Sequence, residues 1–183
     1  SMIKLNTERL ILRNFSKNDW KDLYEYLSVP SVVEYEPYDI FNEEECKKEA
    51  AKRSEKDNFI AVCLKDSGKL IGNIYFIQSE PKELMAWEIG YVFNPRFYGN
   101  GYATEACFAV LDYGFRNLGV LRTVAMCNPL NVRSWRLLER LNMRREGHLK
   151  KNIFFKRDSQ GSPLWNDTYE YAILCEEWSE SLK

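Results

Sequence analysis

The sequence has few of the residues that build metal centres and disulfide frameworks. It contains a single histidine, His148, and five cysteines with no Cys-x-x-Cys pair among them: Cys46, Cys63, Cys107, Cys127 and Cys175. Zinc sites and disulfide-rich domains need ligands or partners at short, regular spacing. The pattern therefore predicts reduced, buried thiols in a cytoplasmic protein without a metal, and we expect His148 to be incidental.

The sequence also lacks an excess of charge and a long apolar run. Its 26 Lys and Arg residues against 27 Asp and Glu give a formal net charge of -1, which argues against nucleic acid as a partner. No uncharged apolar run approaches the ~18 residues of a membrane span. We expect one domain over residues 2–183, as a monomer or a homodimer, with Ser1 interpreted as a remnant of an expression tag.

Periodicity along the chain predicts a mixed α/β fold. Alternating residues predict seven strands, at 9–13, 59–65, 70–78, 85–93, 123–128, 148–156 and 168–175. Helical spacing predicts helices after the cap residues Ser16 and Asn42, over 102–118, and over 131–141. The second and third strands form a hairpin within a mostly antiparallel sheet flanked by helices, an α+β arrangement. Strand 85–93, helix 102–118 and strand 123–128 form a crossover, so these two strands should be parallel neighbours.

Two glycines stand together in "NPRFYGNGYATEA" (94–106), between a strand and a helix. A Walker phosphate loop needs a lysine where Tyr102 stands, and the dinucleotide fingerprint needs a third glycine where Thr104 stands. Both nucleotide readings are therefore rejected. A plain turn remains open, and so does a pyrophosphate site made of backbone N–H groups at the positive end of the helix.

Three further stretches extend the pattern beyond this loop. "RFYGNGYATEA" resembles the acetyl-coenzyme A signature of the GNAT superfamily of N-acetyltransferases, and "NPLNVRSWRLLERLNM" (128–143) resembles its second conserved stretch. "TERLILR" (7–13) and "LWNDTYEYAILCEEW" (164–178) are similar to the branch containing the ribosomal-protein N-terminal alanine and serine acetyltransferases. The resemblance implies the GNAT-like acyl-CoA N-acyltransferase fold, with strands four and five parallel and splayed apart.

The same resemblance implies an activity and a co-substrate. The implied reaction is direct transfer of the acetyl group of acetyl-CoA to a primary amine, either a protein N-terminus or a small molecule. A non-catalytic acyl-CoA-binding or sensor module on the same fold is the alternative. The cofactor contacts are expected at the end of strand four, in the glycine loop and on the next helix: Tyr91, Val92, Phe93, Arg96, Phe97, Tyr98, Gly99, Asn100, Gly101, Tyr102, Ala103, Thr104, Asn131, Ser134 and Arg136.

Three residues are catalytic candidates by this resemblance. The tyrosine that many members place seven residues after the helix asparagine is Leu138 here, so Ser134 is expected to protonate the departing thiolate. Glu88 is expected to remove the amine's proton through water, with Asp167 as the second candidate. Each has a plainer explanation: Ser134 as a first-turn helix serine, Glu88 as an exposed strand carboxylate, and Asp167 as a residue that orders a loop. Residues 33–41 and 154–165 should wall the acceptor side.

Overall fold

The computed structural model describes residues 3–183, so Ser1 and the predicted domain start at Met2 lie outside the described part. Within it, eight strands form one sheet: β1 (Lys4–Asn6), β2 (Leu10–Asn14), β3 (Phe59–Leu64), β4 (Leu70–Gln78), β5 (Ala86–Phe93), β6 (Arg122–Cys127), β7 (Arg144–Arg157) and β8 (Pro163–Leu174). The helices are α1 (Trp20–Leu27), α2 (Pro30–Val33), α3 (Glu43–Ser54), α4 (Tyr102–Asn117), α5 (Val132–Arg140) and α6 (Cys175–Ser181).

The predicted seven-stranded sheet was wrong by one strand. The structure adds β1, which pairs antiparallel with β2 at the edge of the sheet. A strand of three residues with a single half-buried side chain is too short to show an alternating pattern, so β1 could not be predicted. Helix α6 was also missed, because its charged stretch directly follows the last strand.

Helices cover both faces of the sheet because its strands alternate buried side chains. Ile60 and Val62 of β3 point into a core with α4, α5 and α6, whereas Ala61 and Cys63 point into a core with α1 and α3. The predicted caps are confirmed. The side chains of Ser16 and Asn42 each accept a backbone N–H, and their own backbone N–H groups donate to an acid three residues on. Ser16 thereby caps the 3-10 turn Lys17–Asp19 that leads into α1, and Asn42 caps α3.

The decisive feature of the sheet is a break in pairing between β5 and β6. The sheet order is β1-β2-β3-β4-β5-β6-β8-β7, with β5 and β6 parallel as predicted. Their pairing covers Ala86 to Glu88 and then ends, although β5 continues to Phe93 along β4 and β6 continues to Cys127 along β8. The two strands therefore open a cleft beyond Glu88, as the predicted splay requires.

The close approach of β4 to β5 depends on Gly72. A Cβ placed there would lie 2.4 Å from Phe93 Cδ1 and 2.8 Å from the carbonyl oxygen of Val92. We expect Gly72→Ala to lower the free energy of unfolding by about 1–3 kcal/mol, because the Phe93 ring and the β5 backbone must both move. Urea unfolding measures the change.

Gly90→Ala is the matched control on β5. Its added Cβ would meet Tyr75 Cβ at an ordinary 3.9 Å, so the expected change stays within about 0.5 kcal/mol. Equal losses in the two variants would contradict this account of strand packing.

Candidate functional site

The opening between β5 and β6 forms one wall of a cavity of about 910 Å³. The glycine loop and α5 contribute one part of its lining. Another part comes from the segment after α2, from β3 and β4, and from the β7–β8 hairpin, and it includes residues of both segments predicted to wall the acceptor side. A cavity of this size at a break in a sheet is a typical place for a cofactor and a substrate to meet.

The glycine loop reaches the cavity with its backbone exposed. Gly99 (φ +82°) and Gly101 (φ +79°) adopt left-handed conformations that favour glycine, and α4 begins directly after them without a side-chain cap. A Cβ at Gly99 would meet nothing within 4 Å, so the space beside this residue is open. The uncapped N–H groups of the first turn of α4 are therefore free for an anionic group.

Two glutamates anchor the loop and the helix behind it. Glu25 of α1 accepts from Asn94 Nδ2 and Arg96 Nη1, each at 3.0 Å. Glu105 accepts from the backbone N–H of Arg9 at 3.0 Å, from its Nε at 2.8 Å, and from the Thr7 hydroxyl. The Lys69 ammonium, whose Nζ lies 2.6 Å from Glu25 Oε2, lowers the pKa of Glu25 most, with help from Asn94 and Arg96. The donors from Thr7 and Arg9 lower the pKa of Glu105 despite opposing burial, so both carboxyls stay charged and hold the loop in place.

Most of the predicted cofactor residues line this cavity. They are Tyr91, Val92, Phe93, Phe97, Tyr98, Gly99, Gly101, Tyr102, Ala103, Thr104, Asn131 and Ser134. Three others lie outside its lining. Arg96 points to Glu25, the Asn100 side chain donates to the carbonyls of Phe97 and Tyr98, and Arg136 is exposed beside Trp135.

The arginines that do line the cavity are two turns apart on α5. Arg133 stacks over the Tyr98 ring at 4.2 Å, and Arg140 Nε donates to Thr104 Oγ1 at 3.3 Å. Both therefore border the glycine loop. The seven-residue spacing that places them on one helix face is visible in the sequence, but it does not show which face meets the loop.

Ser134 lies where β5, β6 and α5 meet. The Tyr91 hydroxyl donates to the Ser134 carbonyl oxygen at 2.8 Å and lies 3.0 Å from Ser134 Oγ. Burial raises the pKa of Tyr91 well above its usual range, so its hydroxyl keeps its proton. The sequence pointed only to the backbone amide of Tyr91, and its side-chain contact with Ser134 was missed.

Cys127 completes this group. Its thiol lies close to Ser134, and burial raises the pKa of the thiol to about 11. A neutral thiol is a poor nucleophile, so this cysteine is not set up to accept an acyl group itself.

The two candidate bases have opposite electrostatic environments. Glu88, at the point where β5 and β6 separate, is half-buried in the cavity wall, and burial raises the pKa of its carboxyl. Asp167 also lines the cavity, but it accepts the backbone N–H of Lys151 at 2.8 Å and lies 2.9 Å from His148 Nε2. These two bonds hold the pKa of Asp167 below its usual range. His148, which was expected to be incidental, therefore helps to fix Asp167.

A further carboxylate in the cavity was not singled out from the sequence. Glu36 follows α2, in the segment predicted to wall the acceptor side, and that segment does contribute to the lining. Burial raises the pKa of Glu36 to about 7, against a smaller opposing effect of the Tyr38 hydroxyl that donates to it. From residues 154–165, Phe155 lies in the same wall.

Residues 3–183 contain neither a metal-binding cluster of side chains nor a membrane-spanning helix. In that range, no group of three or more His, Cys, Asp or Glu side chains is arranged to hold a metal ion. No helix in the described part of the chain is both long enough and apolar enough to cross a membrane.

The opened sheet, the glycine loop and the uncapped helix together define an acyl-CoA-dependent transferase. The model of the acetyltransferase (GNAT) domain matches residues 9–144, and the chain belongs to this family. It is 40% identical over 176 residues to the uncharacterized N-acetyltransferase YnaD of Bacillus subtilis, an alignment that covers 96% of this chain and 99% of that protein.

Solved structures agree with this assignment. A GNAT-family acetyltransferase from Bacillus anthracis superposes with a TM-score of 0.87 and 38% identity, over 96% of this chain and 100% of that one. The ribosomal-protein-S5-alanine acetyltransferase of Vibrio fischeri superposes with a TM-score of 0.77 and 21% identity, over 96% and 98%. The predicted superfamily and fold are confirmed. The protein is an acetyl-CoA-dependent N-acetyltransferase, and the non-catalytic alternative is not favoured.

Proposed function

We propose that this protein acetylates a primary amine by direct transfer within a ternary complex, with Ser134 and Glu88 as its catalytic residues. The observation that carries the proposal is the meeting of three features in one cavity. These are the break in the sheet after Glu88, the open glycine loop, and Ser134 held by Tyr91. The monomeric or dimeric state and the cytoplasmic location stay predictions.

In this proposal, coenzyme A lies along the cavity from the glycine loop to the break. The backbone N–H groups around Gly99 to Ala103 bind the pyrophosphate, and Arg140 beside Thr104 adds a positive charge. The pantetheine arm takes the place of a strand beside β5, where pairing with β6 has ended. Arg136, exposed on the same helix, remains a weaker candidate for a phosphate contact.

The reaction requires two proton movements. The amine nitrogen attacks the thioester carbonyl carbon, and the oxyanion that forms accepts a hydrogen bond from a β5 backbone N–H. The amine passes its proton through water to Glu88, whose carboxylate is a stronger base than an ordinary glutamate because burial raises its pKa. The carbon–sulfur bond then breaks, and the departing thiolate takes the hydroxyl proton of Ser134. Water returns a proton to Ser134 and accepts the proton that Glu88 holds, which restores both residues.

Tyr91 supports Ser134 in this scheme. Its bond to the Ser134 carbonyl fixes the first turn of α5, and its contact with Oγ limits the rotation of the hydroxyl. Because Cys127 is held as a neutral thiol, no acyl-enzyme intermediate on that residue is needed.

The glycine loop is tested by a pair of matched substitutions. Gly99 (φ +82°) and Gly161 (φ +84°) are both left-handed, and an added Cβ meets nothing within 4 Å at either position. We expect both Ala variants to lose similar stability, because both are strained. Only Gly99→Ala should weaken coenzyme A binding, by about tenfold or 1.4 kcal/mol, because its methyl group enters the ligand's space. Calorimetric titration with coenzyme A measures the affinity, and equal affinities in the two variants would contradict a pyrophosphate site at the glycine loop.

The proton donor is tested through Ser134 and Tyr91. We expect Ser134→Ala to lower kcat by about 10²–10³, in the range seen for loss of general acid catalysis. We expect Tyr91→Phe to lower it by about tenfold, because the serine loses its fixed position but keeps its proton. The KM for acetyl-CoA should change little in both. Steady-state kinetics provide the test, and wild-type kcat in Ser134→Ala would remove this residue from the mechanism.

The base is tested by pH dependence. Because burial raises the pKa of Glu88, its carboxylate fraction and the rate of transfer should rise with pH through a range above the ordinary glutamate pKa. Glu88→Gln should abolish this acid limb and lower kcat/KM by about 10²-fold.

The substitution Glu88→Gln lowers the rate but is not expected to lower the stability of the folded protein. A carboxyl whose folded-state pKa is raised costs stability once the pH exceeds its unfolded pKa, so Glu88→Gln should not destabilise the protein at pH 7. Thermal unfolding checks this point. If the transfer rate of Glu88→Gln keeps the wild-type dependence on pH, a residue other than Glu88 is the base.

A further inference from the structure

The acceptor end of the cavity contains carboxylates without matching cations. Glu36 lines it from the segment after α2, and Glu88 lines it from β5. The arginines that line the cavity, Arg133 and Arg140, both lie on α5 beside the glycine loop. Arg133 stacks over Tyr98, a ring that Glu36 also approaches, but the cation that acts on the Glu36 carboxyl is Lys156. The acceptor end is therefore acidic, which favours a positively charged molecule.

Glu36 is held in a defined position. Lys156 Nζ on β7 donates to the carbonyl oxygens of Val33 and Glu34, at 2.9 and 3.3 Å, and so fixes the turn that precedes Glu36. The backbone N–H of Glu36 donates to the Val33 carbonyl at 3.0 Å. The Tyr38 ring, whose hydroxyl donates to the Glu36 carboxylate, packs edge-on against Phe41 at 5.3 Å. The carboxylate thus lies on an ordered wall.

Glu36 nevertheless has no direct ion-pair partner within residues 3–183. Lys156 attracts it electrostatically, but no salt bridge of 4 Å or less joins the two side chains. A half-buried carboxylate with one hydrogen bond is poorly compensated for the water that it has lost. Its pKa of about 7 reflects this cost, and a bound cation would offset it.

The two carboxylates occupy different walls and have different neighbours. Glu36 lies beside Tyr38 and close to Tyr98, whereas Glu88 lies close to Tyr75. Burial also raises the pKa of the Glu88 carboxyl. Apolar side chains, including Phe59 and Phe155, line the same cavity.

One ammonium group cannot serve both carboxylates. The amine that attacks the thioester must lose its proton, and in the proposed function Glu88 receives it, so that amine is neutral when it reacts. Glu36 then requires a second positive charge that persists through the reaction. We propose that the acceptor is a primary amine carrying a second cationic group on an apolar body, and that Glu36 binds this second group and determines specificity. The inference rests on the proposed function of the same site.

The test compares two pairs of amines that differ only in the second charge. Benzylamine is compared with 1,3-bis(aminomethyl)benzene, and hexylamine with 1,6-diaminohexane. We expect wild-type kcat/KM to be at least about tenfold higher for each diamine, which corresponds to about 1.4 kcal/mol. Glu36→Gln should remove this preference, so that kcat/KM for each diamine falls to within about twofold of that for its monoamine. Equal use of monoamine and diamine by the wild-type protein would overturn the proposal.

Glu34→Gln is the matched control. Glu34 is exposed, lies two residues away and is absent from the cavity wall, so this variant should keep the full preference for diamines. Glu36→Asp, which retains the charge on a shorter side chain, should restore part of it. If Glu34→Gln loses the preference as fully as Glu36→Gln does, the effect is one of general surface charge and the assignment of Glu36 fails.

Equilibrium binding separates this inference from the proposed function. Calorimetric titration of each amine into the coenzyme A complex needs no turnover, so it reports on Glu36 even if Glu88 and Ser134 are assigned wrongly. Tenfold weaker diamine binding in Glu36→Gln, with unchanged coenzyme A affinity, supports the inference. Absence of diamine binding to the wild-type complex overturns it. Tighter binding of a short peptide through its N-terminal amine than of either diamine also overturns it.

Discussion

The end of pairing between β5 and β6 after Glu88 is the constraint on which the site depends. A sheet is stable because its backbone groups pair, and β5 and β6 give up that pairing over their second halves while keeping their outer partners β4 and β8. The unpaired edge of β5 is therefore available to an extended ligand. Glu88 stands at the fork, and Ser134 reaches the same opening from α5.

The surroundings hold this opening in shape. Glu25 and Glu105 tie the glycine loop and the start of α4 to α1 and to the start of β2. These bonds hold the loop backbone in a fixed position beside the cavity. On the opposite side of the cleft, Tyr91 crosses from β5 to the first turn of α5. The charged residues that anchor the loop, Glu25 and Glu105, thus lie outside the cavity lining. Of the two groups proposed to act in the reaction, Ser134 is neutral and Glu88 is poorly compensated for its burial.

Much of the fold and of the cofactor side could be predicted from sequence, and so could the two segments that wall the acceptor side, but the electrostatic character of the acceptor-side carboxylates could not. The glycines of the loop, the caps Ser16 and Asn42, and the crossover through α4 are local patterns with local causes. Strand β1 was missed because a strand of three residues is too short to show an alternating pattern of apolar and polar residues. Glu36 and the His148–Asp167 pair were missed because each acquires its character from burial or from a partner distant in the chain.

The sequence by itself determined the element order, the parallel strands and the glycine loop, because periodicity, turns and helix starts are set by neighbouring residues. Only the tertiary structure decided which polar groups are desolvated and which are paired. Glu88 and Glu36 became poorly compensated acids and Asp167 a fixed one because packing, not spacing, controls access to water. For the same reason, the arginines that meet the loop are Arg133 and Arg140, while Arg136 stays outside the cavity wall.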